Sequence, residues 1–375
     1  MTAATERFRR SASGPNGMDT DADRARVGVL GATGAVGQRL VALLATHPRF
    51  ELVSLAASAD SAGRTYREAA SWRLETPVPA GVADTTVVEG RPGNVPDLDL
   101  LFSSMPSDVA ASVEPAFLEA GYTVSSNSSN ARMAPDVPLV IPEVNPDHLS
   151  LLERQASTRD WNGHLVKNPN CSTIAVVPPL AALAAAGHEP SRVRVATMQA
   201  VSGAGYDGVA SYEILDNVLP HIDGEEEKME LESRKLLGDA TAESVELHPV
   251  DVAASCNRVP MLDGHLESVW VDFAGGGDRP DGAGPSVSTA TEALRSAPTL
   301  DLPSAPEALV HVHETPDRPQ PRLDRSTDRG MSVAVGPLQA TDTGVQFDCL
   351  VHNTLRGAAG ASLLNGELLL DRDYR

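Results

Sequence analysis

"RVGVLGATGAVGQRLVALLATHPRF", residues 26–50, decides the fold. A short apolar run leads into a glycine-rich turn, then into a stretch from about Val36 to Thr46 that reads as a helix and stops before Pro48. "ELVSLAAS" (51–58) follows as a second strand. Gly31, Gly34 and Gly37 fall in a G-x-x-G-x-x-G spacing, a relative of the dinucleotide fingerprint, in which backbone N–H groups approach a pyrophosphate at a helix N-terminus. The spacing alone is weak, and a turn without a ligand is the alternative. The strand before it and the helix and strand after it favour a nucleotide site built on Gly31, Thr33, Gly34, Ala35 and Val36.

Where a dinucleotide fold often carries an acid, after the second strand, this chain has "AASADSAGRTY" (56–66). Ser58, Ser61 and Arg64 could hold a ribose 2′-phosphate, which favours NADP over NAD; Asp60 in the same loop argues the other way and leaves dual use open. Further strand-like runs, "DLDLLFSSM" (97–105), "TVSSNSS" (123–129) and "LVIPEVN" (139–145), are separated by the helix-like 107–121, so the alternation predicts a parallel sheet. Beyond residue 190 the runs are longer, at 192–202, 265–273, 308–315, 331–342 and 344–355, joined by Pro/Gly-rich loops. They predict a mostly antiparallel second sheet. The last stretch, from 355, returns to helical spacing and is expected to dock on the first domain. The fold class is therefore α/β: a Rossmann-like dinucleotide-binding domain plus an α+β catalytic domain. The expected boundaries are a disordered tail at 1–25, a nucleotide domain at 26–168 with helix 354–375 docking back, and a second domain at 169–353.

With 375 residues the chain suits two domains. Its first 26 residues have no apolar block, so they do not read as a secretory signal, and Met18 is an alternative start. No apolar stretch is long enough to span a membrane. Three cysteines, Cys171, Cys256 and Cys349, without pairing or C-x-x-C spacing, argue for a reducing cytoplasm and against a disulfide framework or a metal site. Thirty Lys+Arg against 51 Asp+Glu give a net charge of −21, which disfavours nucleic acid and anionic lipid as partners. Scarce lysine and acidic loops such as "DTDADR" suggest a salty cytoplasm, where the Debye length shrinks to about 3 Å at 1 M salt and self-repulsion is screened.

"VKNPNCSTIAVVPPL" (166–180) places Cys171 before a run whose Ser172 and Thr173 suit the first turn of a helix, where free N–H groups and the dipole favour a thiolate. Alone, a free cysteine is more often a small buried hydrophobe. A second segment shifts the balance: in "CNRVPMLDGHLESVWVDF" (256–273), His265 could move protons for the cysteine and Arg258 could clamp a carboxylate. In "HIDGEEEKMELESRKLLG" (221–238), Glu225 and Lys228 share one helix face, either as a solvated surface or as substrate ligands.

Six blocks in this order, "GATGAVGQRL", "SSNSSNARMAPDVPLVIPEVN", "NPNCSTIA", "QAVSGAGYDGV", "GEEEKM" and "NRVPMLDGHLESVWVDF", resemble the archaeal and fungal branch of the aspartate-semialdehyde dehydrogenases, over residues 27 to about 370. The resemblance implies NADPH-dependent reductive dephosphorylation of L-4-aspartyl phosphate to L-aspartate 4-semialdehyde through a cysteine thioester, a step toward lysine, threonine and methionine. It makes Cys171 the nucleophile and His265 the general acid and base, with Asn170 and Gln199 positioning the acyl group. Glu225 would take the substrate amino group, Arg258 its α-carboxylate, and Arg132 with Lys228 the phosphate. Ser202, Gly203 and Ala204 would lie near the nicotinamide. It further implies inorganic phosphate as co-substrate, a homodimer or homotetramer, and a cytoplasmic enzyme. The alternatives are a related acyl reductase (malonyl-CoA reductase or N-acetyl-glutamyl-phosphate reductase), a non-catalytic NADP-binding regulator, and a Cys/His hydrolase without nucleotide. Glu225 speaks against the related reductases, whose substrates offer no free α-amino group.

Overall fold

The computed structural model describes residues 24–275, 278–279, 282 and 284–374. Residues 1–23 of the expected tail, with the alternative start at Met18, lie outside them. Ala25 already belongs to the first strand, one residue ahead of the expected boundary.

The apolar run and turn fold as read. Strand β1 (Ala25–Leu30) ends at the turn, helix α1 (Ala35–Leu44) returns with Leu40, Val41 and Leu44 buried, and β2 (Phe50–Ala57) lies beside β1. Next come β3 (Val88–Glu89), β4 (Leu100–Ser103), α2 (Ser107–Glu119), β5 (Val124–Ser126), helix α3 (Leu151–Thr158) and β6 (Leu165–Lys167). The sheet order is β3-β2-β1-β4-β5-β6, and each of these pairs is parallel. The strand order reverses between β1 and β4, so a crevice opens beyond the carboxyl end of β1, where open parallel sheets take their ligands. "LVIPEVN" is not a strand: Leu139 makes only an isolated bridge to Lys167. Pro138 and Pro142 withhold the N–H groups that a ladder needs.

The second half opens with α4 (Thr173–Ala185), apolar on all sides and buried along most of its length. It covers one face of the second sheet, and Val176, Leu180 and Leu183 share a core with Val193, Val195, Val269 and Val271. The strands are β7 (Pro190–Gln199), a hairpin of β8 (Asp239–Ala240) and β9 (Val245–Glu246), β10 (Asp251–Arg258), β11 (His265–Phe273), β12 (Val310–Val312), β13 (Val333–Val335), β14 (Gln339–Ala340) and β15 (Gly344–Val351). The main order is β10-β7-β11-β15-β13-β12, with β14 against β15. The central pairs are antiparallel as expected, yet both outer pairs, β7/β10 and β12/β13, are parallel, so the sheet is mixed. The β7/β10 pair is parallel because helix α5 (Glu225–Leu237) forms the crossover between its strands. Helix α6 (Val287–Arg295) caps the same core.

The terminal segment does return to the first sheet. A π-turn at Leu355–Ala359 leads into α7 (Gly360–Asp371), whose residues through Leu369 are buried. Ser362 and Ser125 hydroxyls meet at 3.0 Å, and Leu363 and Leu369 join the core of Val27, Val29 and Phe102. No helix among the described residues is long and apolar enough to cross a membrane.

Candidate active site

Five chain segments converge where the two sheets meet: the loop after β6, the end of β7, the start of α5, the end of β10 and the start of β11. Cys171 stands one residue before Ser172, the N-cap of α4. Its loop is held on both sides. Asn168 donates to Asn127 Oδ1 at 2.8 Å, and the Asn170 amide N–H donates to Glu232 Oε2 at 2.6 Å. The Asn170 side chain donates to both Glu225 oxygens (3.1 and 3.0 Å) and accepts the Ser172 N–H at 2.8 Å. Nucleophile and acid are thereby set by one amide.

His265, the first residue of β11, has Nε2 3.2 Å from Cys171 Sγ, while its Nδ1 accepts the Ala200 N–H at 3.1 Å. Gln199, the last residue of β7, donates to Ser172 Oγ at 2.7 Å and lies 3.4 Å from Glu225 Oε2. Arg258 ends β10 in register with Gln199 and donates to the Ala200 carbonyl at 2.9 Å. Lys228, one turn along α5, reaches Glu225 Oε1 at 2.9 Å. The residues expected to bind or transform a substrate thus form one cluster, with Arg132 at its edge. Arg132 is committed: it pairs with Glu232 at 2.8 Å and donates to the Asn127 carbonyl at 2.6 Å.

Charge in this cluster is governed by burial. Cys171 keeps partial exposure, yet burial pushes its thiol up to about 12; the Glu225 charge adds to the rise, and Arg258 and Arg132 oppose it. Burial therefore works against the thiolate that the helix start favours. Burial, then Arg258, drops His265 to about 3, so the imidazole is neutral. Glu267, two residues along β11 and buried with neither oxygen hydrogen-bonded, is pushed well above the usual carboxylate range by burial and by Glu225.

The glycine turn lies at the carboxyl end of β1. Gly31 has φ +77°, and a Cβ on Gly37 would stand 2.1 Å from the Gly31 carbonyl oxygen, so the turn can close on α1 only with glycine there. Gly34 caps α1 without a side-chain hydrogen bond, and Ala35 and Val36 begin its first turn, which leaves backbone N–H groups for an anion. The Thr33 carbonyl accepts from Gln38 at 3.0 Å. Ser58, Ser61 and Arg64 follow β2 at the same edge; Ser58 and Arg64 are exposed, and the Arg64 guanidinium donates to the Glu68 carbonyl. Asp60 is exposed in the same loop. Ser202, Gly203 and Ala204 form a 3₁₀ turn just past Gln199. These residues fit a dinucleotide stretched from the β1 turn toward Cys171.

Several residues at the site escaped sequence reasoning. Glu232 holds both Arg132 and the Asn170 backbone; its position, seven residues after Glu225 on the same helix face, was the available signal. Asn353 donates to Ser202 Oγ and accepts the Gly264 N–H, both at 2.8 Å, joining two loops of the site from distant sequence. Lys235 donates to the carbonyls of Arg132, Ala134 and Val137, anchoring the loop that carries Arg132.

Residues 26–152 match the semialdehyde dehydrogenase NAD binding domain, and residues 180–356 match the semialdehyde dehydrogenase dimerisation domain. An aspartate-semialdehyde dehydrogenase of Archaeoglobus fulgidus is 51% identical over 348 residues, covering 92% of this chain and 98% of its own length. That of Methanothermobacter thermautotrophicus is 51% identical over 347 residues, again covering 92% and 98%. The crystal structure of the Candida albicans enzyme with NADP superposes with a TM-score of 0.83 at 39% identity, covering 94% of this chain and all of that one. The chain belongs to the aspartate-semialdehyde dehydrogenase family.

Proposed function

We propose that the chain performs the reversible, NADPH-dependent reductive dephosphorylation of L-4-aspartyl phosphate to L-aspartate 4-semialdehyde and inorganic phosphate. The observation that carries this reading is Cys171 Sγ at 3.2 Å from His265 Nε2, beside an acid and an arginine suited to the two charged ends of an amino acid. Residues 26–168 with 354–375 act as the cofactor-binding unit and 169–353 as the catalytic and dimerisation unit. The turn Gly31, Thr33, Gly34, Ala35 and Val36 would hold the NADP pyrophosphate, Ser58, Ser61 and Arg64 the 2′-phosphate, and Ser202 and Gly203 the nicotinamide end. When bound, the cofactor supplies hydride to the acyl carbon.

Cys171 attacks the acyl phosphate, and His265 faces both the sulfur and the carbonyl oxygen. Glu225 takes the substrate ammonium, and Arg258 takes the α-carboxylate through paired hydrogen bonds. The ammonium displaces Lys228 from Glu225, which frees Lys228 to meet the phosphate together with Arg132. Asn170 and Gln199 keep the acyl group in line.

Assays of NADP reduction with the semialdehyde and inorganic phosphate, on wild type and Cys171→Ala in parallel, test this reading. Activity that needs phosphate and vanishes in the variant is expected; wild-type inactivity with NADP binding intact would leave only the fold. The assembly is proposed to be a homodimer or homotetramer joined through the second sheet, whose outer face carries the exposed Trp270; light scattering gives the count.

A further inference from the structure

We propose that Arg356 is a positioning residue for the catalytic pair: its buried fork onto Glu143 clamps the π-turn at 355–359 against the Cys171 loop and so sets the spacing between Cys171 and His265. This role rests on Cys171 being the nucleophile, as read above.

Three successive residues of the turn face three different partners. Arg356, fully buried, donates from its two terminal nitrogens to the two Glu143 oxygens at 2.7 and 2.9 Å. Next to it, a Cβ on Gly357 would stand 2.8 Å from Cys171 Cβ, so the backbone passes directly against the nucleophile. The Ala358 carbonyl then accepts from the Asn168 side chain at 3.2 Å, on the loop that leads into Cys171. The wide turn makes this fan possible: the Gly357 and Ala359 N–H groups reach back past a normal helical turn to the carbonyls of His352 and Thr354, both at 3.1 Å.

The same segment reaches the histidine. Asn353 Oδ1 accepts the Gly264 N–H at 2.8 Å, immediately before His265. Residues 353–358 thus touch both the turn that presents the imidazole and the loop that presents the sulfur, whose atoms lie 3.2 Å apart. Glu143 is a firm anchor because its own turn is tied down. Asn145 Oδ1 accepts the Ile141 N–H at 2.8 Å, and the Asn145 amide donates to the Leu139 carbonyl at 2.9 Å. Asn365 of α7 closes the far side, donating to the Val140 carbonyl at 3.2 Å and to Asn168 Oδ1.

A buried ion pair is weak ground for stability, because desolvation offsets its attraction; what a two-pronged pair supplies is a fixed direction. Arg356 Nε finds no partner among the described residues, so the guanidinium is oriented by its fork onto Glu143. With that fork gone, the turn loses the tether that presses Gly357 toward Cys171.

The test is a variant that removes the clamp without stranding a buried charge, Glu143→Gln with Arg356→Met. Once circular dichroism shows it folded, iodoacetamide should alkylate its Cys171 at least about threefold faster than in wild type, because a loosened loop exposes the sulfur. In the same protein kcat with semialdehyde, phosphate and NADP should fall about 10- to 100-fold, with each KM within about twofold of wild type. A pair that only stabilises the fold would lower the melting temperature and leave kcat and alkylation of the folded enzyme unchanged, and that result overturns the proposal. A raised KM with kcat intact overturns it too, since the pair would then act on binding. Arg356→Lys keeps the charge but cannot fork, so its kcat should lie between wild type and the double variant; full activity would show that charge suffices without direction and sink the idea. Should the double variant not fold, Gly357→Ala decides: the added methyl displaces Cys171 and leaves the ion pair alone, and wild-type kcat there would show that the turn does not place the sulfur. Alkylation needs neither substrate nor cofactor. A wild type inactive with the semialdehyde would therefore strike the function proposed above, while alkylation of the variants still judges the clamp.

Discussion

Cys171 owes its environment to neighbours that the linear sequence keeps 28 to 94 residues away, among them Glu225, Gln199, Arg258 and His265. Glu225 is the neighbour whose charge can be removed at small steric cost. Its carboxylate raises the thiol, so Glu225→Gln should lower the Cys171 pKa and speed alkylation by iodoacetamide at any pH below the wild-type midpoint. The same substitution removes the partner of the substrate ammonium, and KM for the semialdehyde should rise about 10- to 100-fold, in line with the 1.5–3 kcal/mol of a charge-assisted hydrogen bond. Slower alkylation in the variant would mean that Glu225 does not act on the sulfur electrostatically. Cys171 and His265 were legible as candidates because each lies in a block that resembles the family, and the structure brings them to 3.2 Å. The contact of the Ala200 N–H with His265 Nδ1 was not, since that amide lies 65 residues away.

At the scale of elements, α5 serves as the strut of the site. Its first turn presents Glu225 and Lys228, and two turns on Glu232 ties Arg132 and the Asn170 backbone to the same helix. Arg132 and Glu232 are both buried, so deleting one leaves the other charged and unpaired. Glu232→Ala should cost about 3–5 kcal/mol in urea unfolding, and the surviving folded enzyme should lose kcat as the Asn170–Cys171 loop drifts. A variant as stable as wild type would contradict this account of the pair. The amphipathic stretches α1 and α5 were readable from spacing. The parallel edges of the second sheet were not: hydrophobic period tells that a strand is present but not the direction of its partner.

For the whole molecule, two buried neutral histidines link stability to pH. His265 is held at about 3 and His352 at about 4, both mainly by burial, against about 6.5 in the unfolded chain. Their folded values are depressed, so below pH 6.5 the unfolded chain binds more protons than the native one. Their contribution is complete above that pH and is lost as pH falls toward 4, at about 1.4 kcal/mol per pH unit for each histidine. Urea titrations between pH 7 and 4.5 should show this slope, reduced in His352→Gln. The net charge of −21 adds a repulsion that salt screens. The melting temperature should climb between 0.1 and 2 M salt, and a flat response would refute the proposal of adaptation to a salty cytoplasm.

By itself the sequence determined what is local or periodic: the strand–glycine turn–helix of the first sheet, the two-part organisation, and a cysteine at the start of a helix. It carried these because backbone geometry and the burial of one face are dictated by residues within a few positions of each other. Only the tertiary structure decided which groups share a hydrogen bond. The commitment of Arg132 to Glu232, the bridge of Asn353 between Ser202 and Gly264, and the Ala200 amide at His265 Nδ1 all join segments far apart in the chain. Protonation is biased from the same source: burial raises the Cys171 thiol and lowers the His265 imidazole, a property of packing that no short stretch of residues contains.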